Sequence, residues 1–312
     1  MTCMGIKQSK EELTAKLEKI KAIFDIAKLA SLKSNLAYIA KYYRVNKIAY
    51  TLFHGRDDLI YLGISRDGLF KRDDLLEAAR ATEKYILKTQ AEKVLELATG
   101  RGANSFYLAK RHPDVEFYGV DISPGQLGLA FKKARRVANY HPAAGDYHDL
   151  KRFSDNSFDV VFVVEALCYS ERKDIALKEV YRVLKPGGFF IIFDGYRGKK
   201  TDELEENERV AMMLMERGFA LNVFETHQSF KAKIAVSGLD IESEENVSAH
   251  VIPTTKIFER LASRFFNHPF LARGLTKVLP DVFTFNAISG YLMPTLIRMG
   301  AFQYWITILR KP

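Results

Sequence analysis

The chain has 312 residues and a 47% apolar fraction, which suits one large α/β domain with additions or two smaller domains. No run approaches the roughly eighteen apolar residues of a membrane-crossing helix, and the first residues lack the apolar core of a signal peptide. Two cysteines, Cys3 and Cys168, exclude a disulfide scaffold, and the net charge of +9 raises the question of an anionic partner.

The charge is concentrated at the two ends. Residues 1–60 hold 11 basic and 6 acidic side chains, and residues 253–312 hold 8 and 2, so the middle is near neutral. Basic ends interleaved with apolar residues suit an anionic membrane surface or an anionic substrate. No long Lys/Arg run or RNA-binding motif is present, so nucleic acid is not expected. The seven histidines are scattered, so no metal site is expected. The expected location is the cytoplasm, with peripheral contact to a membrane as an extension.

Leu13, Leu17, Ile20, Phe24, Ala27 and Leu32 recur at three- to four-residue spacing, with Lys16, Lys19, Lys21, Lys28 and Lys33 between them. The spacing predicts a helix over 9–46. It either packs on the core with its lysines in water or touches a membrane or a greasy substrate's entrance. Aromatics follow: Tyr38, Tyr42, Tyr43, Tyr50, Phe53 and Tyr61. A helix over 69–87 then leads into the strand Lys93–Leu97.

Next comes Val94-Leu95-Glu96-Leu97-Ala98-Thr99-Gly100-Arg101-Gly102, an apolar strand running through two glycines into the helix 104–110. Glycine serves where the backbone takes positive φ or approaches a ligand, and a helix N-terminus beyond offers free N–H groups. A second strand, 116–121, ends in Asp121, one βαβ unit later, where an acid accepts bonds from ribose hydroxyls. Helix 124–138, strands 143–145 and 158–164, helix 170–184 and strand 189–194 complete an alternating pattern. Pro186-Gly187-Gly188 is expected to end the helix. The alternation predicts a doubly wound, mostly parallel sheet of seven strands, Rossmann-like, with ligand at the carboxyl ends of the strands. Helices over 199–217 and 224–238 follow, with Met212, Met213 and Met215 near one apolar face, then strands 240–247 and 302–309. The organisation is thus a helical cap (1–88), a core (89–252), a helical insert (253–301) and the last core strand (302–312).

Glu96-x-Ala98-x-Gly100-x-Gly102 differs from the G-x-G-x-x-G of dinucleotide binders and resembles motif I of the class I S-adenosylmethionine-dependent methyltransferases. Ala98 stands where that family usually has its first glycine. His141-Pro142-Ala143-Ala144-Gly145-Asp146-Tyr147, Phe158 to Val164, and Leu177 to Gly188 resemble the family's later segments, in family order. The resemblance implies S-adenosyl-L-methionine as cofactor. It implies contacts from Glu96, Ala98, Thr99, Gly100 and Gly102 in the loop, and from Asp121, Ile122 and Gln126 beyond strand two. Asp146 and Tyr147 would serve the adenine, and Glu165 would lie near the methyl.

His54 to Ser65, with Tyr61-Leu62-Gly63 at its centre, resembles the N-terminal cap of methyltransferases acting on sterols, tocopherols and mycolic acids. Tyr61 replaces their usual histidine. Glu165-Ala166-Leu167-Cys168-Tyr169-Ser170 resembles the Glu-Ala-x-Cys stretch of sterol C-methyltransferases. Together these imply a hydrophobic small-molecule acceptor, a sterol or isoprenoid lipid methylated at carbon, in a pocket that includes Tyr42, Tyr43, Tyr50, Tyr61 and Cys168. Glu165 is the expected proton acceptor, with Tyr169 and His148 in reserve. Methylation at oxygen or nitrogen of a quinone, phenol or phospholipid, and cofactor binding without catalysis, are the alternatives. The Pro-Pro-aromatic motif of nucleic-acid amino-methyltransferases and an acidic metal triad are both missing.

Overall fold

Alternation within the apolar strands divides the interior between two faces of one sheet. In β1 (Lys93–Leu97) Val94 faces one core, Leu95 and Leu97 the other. The computed structural model describes residues 3–54 and 58–312, with side chains over 7–46 and 58–312. Helices α1 (Cys3–Lys21), α2 (Ile26–Ser31), α3 (Leu36–His54) and α4 (Glu77–Thr89) precede β1. The core continues through α5 (Ala103–Arg111), β2 (Glu116–Asp121), α6 (Pro124–Ala134), β3 (Tyr140–Ala144), β4 (Phe158–Val164), α7 (Lys173–Val183) and β5 (Leu184–Arg197). Then come α8 (Glu206–Gly218), α9 (His227–Ile234), β6 (Asp240–Asn246), α10 (Ser248–Phe266), α11 (Pro269–Val278), α12 (Asp281–Arg298) and β7 (Phe302–Arg310).

The seven strands form one sheet in the order β3-β2-β1-β4-β5-β7-β6. The first five are parallel, and β7 runs antiparallel between β5 and β6. Strand order reverses between β1 and β4, so a crevice opens beyond the carboxyl ends of these strands. β5 buries Phe189 through Phe193 without a break, as a strand covered on both faces must. The exposed edge strand β6 carries Glu242, Glu244 and Glu245, charges that discourage edge-to-edge pairing.

Three expectations need correction. The helix expected over 9–46 is three helices. Asp25 accepts N–H bonds from Ala27 and Lys28 at 2.9 and 3.2 Å, capping α2 and turning the chain. Lys16 is not in water: it is buried between α1 and α12, bonded to the Tyr291 carbonyl and Thr295 and paired with Glu12 and Glu259. Pro186-Gly187-Gly188 does not end the helix. That helix stops at Val183, and the three residues lie inside β5, where the β4 register shifts and Gly187 takes φ +79°.

The insert before the last strand is α10–α12, beginning at Ser248. Most of α12 is buried, and it packs against α1, α3, α8 and α10, joining the insert to the N-terminal cap. Among the described residues no helix is long and apolar enough to cross a membrane.

Candidate functional site

The turn after β1 is built on left-handed backbone at alternate residues: Ala98 at φ +50°, Gly100 at +56° and Gly102 at +70°. At Gly102 a Cβ would lie 2.4 Å from the Tyr140 hydroxyl, so only glycine fits. At Gly100 the nearest atom to a Cβ would be the Ala98 carbonyl oxygen at 3.8 Å, so the backbone there is open to a ligand. Ala98 carries strain that a glycine would not. A non-glycine residue in this region costs about 1–2 kcal/mol, and glycine gives back about 0.4–1 kcal/mol through its freer unfolded chain. Ala98→Gly should therefore raise stability by about 0.5–1 kcal/mol in urea unfolding; a loss would show that the Ala98 methyl is needed for packing.

Glu96, Thr99 and Gly102 are not among the residues that line the cavity. Glu96 accepts bonds from the Thr99 hydroxyl at 2.7 Å, from Asn104, and from the Ser105 backbone and hydroxyl. Its carboxyl is pushed up to about 7 by burial, against the pull of these bonds. Its part is to tie the turn to the first turn of α5. The Tyr140 hydroxyl, 2.9 Å from Thr99 Oγ1, braces it from β3.

At the end of β2, Asp121 accepts the Gly100 N–H at 2.8 Å on one oxygen and the Ser123 N–H at 2.7 Å on the other. Burial raises its pKa. Its remaining lone pairs border the cavity beside Ile122, which is 49% exposed. Gln126 also lines the cavity, and its Oε1 accepts from the buried Arg101 guanidinium at 3.2 Å. Arg101 and Lys133 both pair with Asp58, fastening that residue to the glycine turn and to α6.

Asp146, Tyr147 and His148 line the cavity from the segment after β3. Both His148 ring nitrogens are engaged, Nδ1 with Asp146 Oδ1 and Nε2 with Ser170 Oγ, each at 2.7 Å. Tyr169 donates its hydroxyl to the Phe219 carbonyl at 3.0 Å, and burial raises its pKa well above the ordinary value. With its hydroxyl donated and its pKa raised, Tyr169 is not placed to take a proton near neutral pH, whereas His148 lines the cavity between Asp146 and Ser170.

Glu165 follows β4 directly, at φ +50°, a strained position for a side chain of its size. Its Oε1 accepts both the Leu62 N–H at 2.7 Å and the Tyr304 hydroxyl at 2.9 Å. Oε2 is left to the cavity that Glu165 lines. Burial pushes the carboxyl up to about 7, opposed by those two bonds. Asp194, on β5, lines the same space, and its two oxygens accept the Cys168 and Gly195 N–H groups. Beyond these acids the walls are apolar: Leu36, Ile39 and Tyr43 from α3, Phe219 and Phe224 after α8, Phe258 from α10, and Phe302 from β7. No Lys or Arg is among the described lining residues.

The structure thus brings Tyr42, Tyr43, Tyr61 and Cys168 into one cavity with Ala98, Gly100, Asp121, Ile122, Gln126, Asp146, Tyr147 and Glu165. The side chain of Tyr50 lies outside the described residues, as does the turn at 55–57. Tyr304 and the Leu62 amide were not foreseen. The alternation along β7 puts Phe302, Tyr304, Ile306 and Ile308 on one face, a signal that could have found Tyr304. A backbone donor such as Leu62 leaves no mark in sequence.

Residues 95–192 match a methyltransferase domain. The chain is 34% identical over 125 residues to sterol methyltransferase-like 3 of Botryococcus braunii, covering 39% of this chain and 31% of that protein. It is 29% identical over 265 residues to a probable phthiotriol/phenolphthiotriol dimycocerosates methyltransferase 2 of Mycobacterium ulcerans, covering 80% of this chain and 95% of that protein. Against several relatives, that of Botryococcus included, the chain spans only about a third of the relative's length. A putative sarcosine dimethylglycine methyltransferase from Galdieria sulphuraria superposes with a TM-score of 0.67 at 16% identity, over 86% of this chain and 98% of that one. The [4+2]-cyclase SpnF does so at 0.67 and 18%, over 90% and 97%. At such identities these two share the fold alone.

Proposed function

We propose that this chain, whose core is a class I S-adenosylmethionine-dependent methyltransferase domain, methylates a neutral, largely apolar lipid, a sterol or other isoprenoid, at carbon. The residues present fit the cofactor. Asp121 would hold the ribose hydroxyls, Ile122 and Tyr147 the faces of the adenine, and Asp146 its amino group. The open backbone at Ala98 and Gly100 would admit the amino-acid end. Four cavity acids, Asp121, Asp146, Glu165 and Asp194, suit a ligand bearing positive charge.

Bound S-adenosylmethionine supplies a methyl group already activated on a cationic sulfur. The protein's task is then placement, exclusion of water and handling of one proton. The apolar walls hold the acceptor and exclude water. As a carbon–carbon bond forms at the acceptor's double bond, positive charge develops on its neighbouring carbon, within reach of aromatic faces such as Tyr61 and Phe302. Glu165 Oε2 takes the proton lost from the adjacent carbon, and the neutral acid later releases it to water.

The observation carrying this reading is Glu165, a carboxylate of raised basicity set into an apolar wall without a cation among the described lining residues. A second reading shares it. The Mycobacterium ulcerans relative, which matches along most of both chains, is named for a triol acceptor. A lipid hydroxyl could lose its proton to the same Oε2 and be methylated at oxygen. Transfer of labelled methyl to a panel of sterols, prenyl diphosphates, quinones and long-chain alcohols, read by mass, tests both. Product only from the diphosphates would refute the neutral-acceptor reading, and binding of the cofactor without any product would refute catalysis.

Tyr304 acts here as a positioning residue. Its hydroxyl stabilises the ionised form of Glu165, so removing it raises the Glu165 pKa further. Tyr304→Phe should move the acid limb of the kcat/KM profile from about 7 to higher pH, while leaving cofactor affinity unchanged. An unmoved midpoint would deny the coupling.

A further inference from the structure

We infer that α11 is the element by which this protein seats itself on an anionic lipid bilayer. Phe270, Leu271 and Val278 are 87%, 64% and 82% exposed, with Leu275 beside them at 36%. Helical spacing gathers these four on one side, turned away from Ala272, the buried residue of the helix. Large side chains exposed in a contiguous group mark an interaction surface, whereas singly scattered ones do not.

The charge around this face selects its occupant. From Arg260 to Pro280 the chain has no acidic residue. Arg260 and Arg264 at the end of α10, and Arg273 and Lys277 on α11, are all exposed. Arg273 and Lys277 lie along one margin of the apolar side. Apolar side chains flanked by cations match the boundary between anionic headgroups and acyl chains, where the first insert and the second stay with the phosphates. A second protein would have to present both an apolar socket and an acidic rim.

The helix is tethered to the N-terminal end of the chain. Arg273 Nε donates to the Ala22 carbonyl at 2.7 Å, holding α11 to the end of α1. α11 follows directly on α10, whose Phe258 forms part of the cavity wall. A protein docked through α11 would thus carry its acceptor cavity close to the bilayer. The inference does not depend on which acceptor is methylated, and its test reads binding alone.

The test is flotation of the full chain with vesicles of phosphatidylcholine, with and without phosphatidylserine. The wild type should float with the anionic vesicles at low salt, less so as salt rises, and remain with the soluble fraction on phosphatidylcholine alone. Phe270→Ser with Leu271→Ser should weaken partitioning about tenfold or more. Arg264→Glu with Lys277→Glu should abolish the preference for phosphatidylserine. Cofactor titration and melting temperature should match the wild type in both pairs, since these side chains are exposed. A wild type that stays off anionic vesicles at low salt would overturn the inference. So would a serine variant, shown folded by melting, that floats as well as the wild type. A dimer seen by light scattering and split by the serine pair, in a protein that does not float, would assign the face to a second copy instead.

Discussion

Glu165→Gln is expected to lower kcat by about 10²–10⁴, the usual range for loss of a positioned acid–base group, with S-adenosylmethionine affinity within a few-fold of wild type. Glutamine keeps the shape and can still accept from Leu62 and Tyr304, but it cannot take a proton. The wild-type kcat/KM should fall as pH drops below about 7, because only the ionised carboxyl is a base. The variant's residual rate should lack that inflection. Stability should respond in the opposite sense. The folded pKa lies above the ordinary 4.5, so folding holds its proton more tightly than the unfolded chain does. The stabilisation is complete below about 4.5 and is lost as pH rises to about 7. Above neutrality the glutamine variant should therefore melt higher than the wild type. Turnover unchanged by the substitution would remove Glu165 from the mechanism.

The second large effect is on stability. Glu216, buried on α8, accepts Arg197 Nε and Nη2 on its two oxygens, each at 2.7 Å, and also the Phe224 N–H at 2.9 Å. Its backbone carbonyl accepts the Leu221 N–H. Glu216→Ala leaves a guanidinium buried without its counter-charge, which typically costs about 3–5 kcal/mol. In a domain of this size the melting temperature should drop by about 6–15 °C. Changing both partners to methionine should cost less than the single substitution, because no charge is then stranded. A single-variant loss below about 1 kcal/mol would mean that water reaches Arg197. Since Glu216 also anchors the segment carrying Leu221 and Phe224 into the cavity wall, acceptor KM should rise before the fold is lost.

Local chemistry was legible in the sequence where one short segment carries it. The strand, two glycines and helix around Gly100, the acid ending β2 and the alternation of strands and helices all lie within tens of residues, and the sheet follows from them. What escaped depends on partners far apart or on competition between neighbours. Tyr304 reaches Glu165 across 139 residues. Leu62 contributes through its amide, which every residue but proline possesses. For Glu96 the family resemblance alone implied a ligand contact, and the sequence did not show that Thr99, Asn104 and Ser105 would engage its carboxylate. Asp25 broke a run of helical periodicity by capping the next helix, and an acid just before Ile26 was the visible sign. The burial of Lys16 required α12, whose Tyr291 and Thr295 lie 275 and 279 residues away.

β7 follows both of its neighbours in the chain yet lies between them. Until it emerges from the ribosome, β5 and β6 each present an unpaired edge, and β5 carries the apolar run Phe189 to Phe193. The nascent molecule is thus exposed to wrong pairing for as long as the insert takes to synthesise. Because Tyr304 lies on that same late strand, the proton-accepting carboxylate acquires its hydroxyl partner only when the sheet is closed. Maturation of the site and completion of the fold are one event.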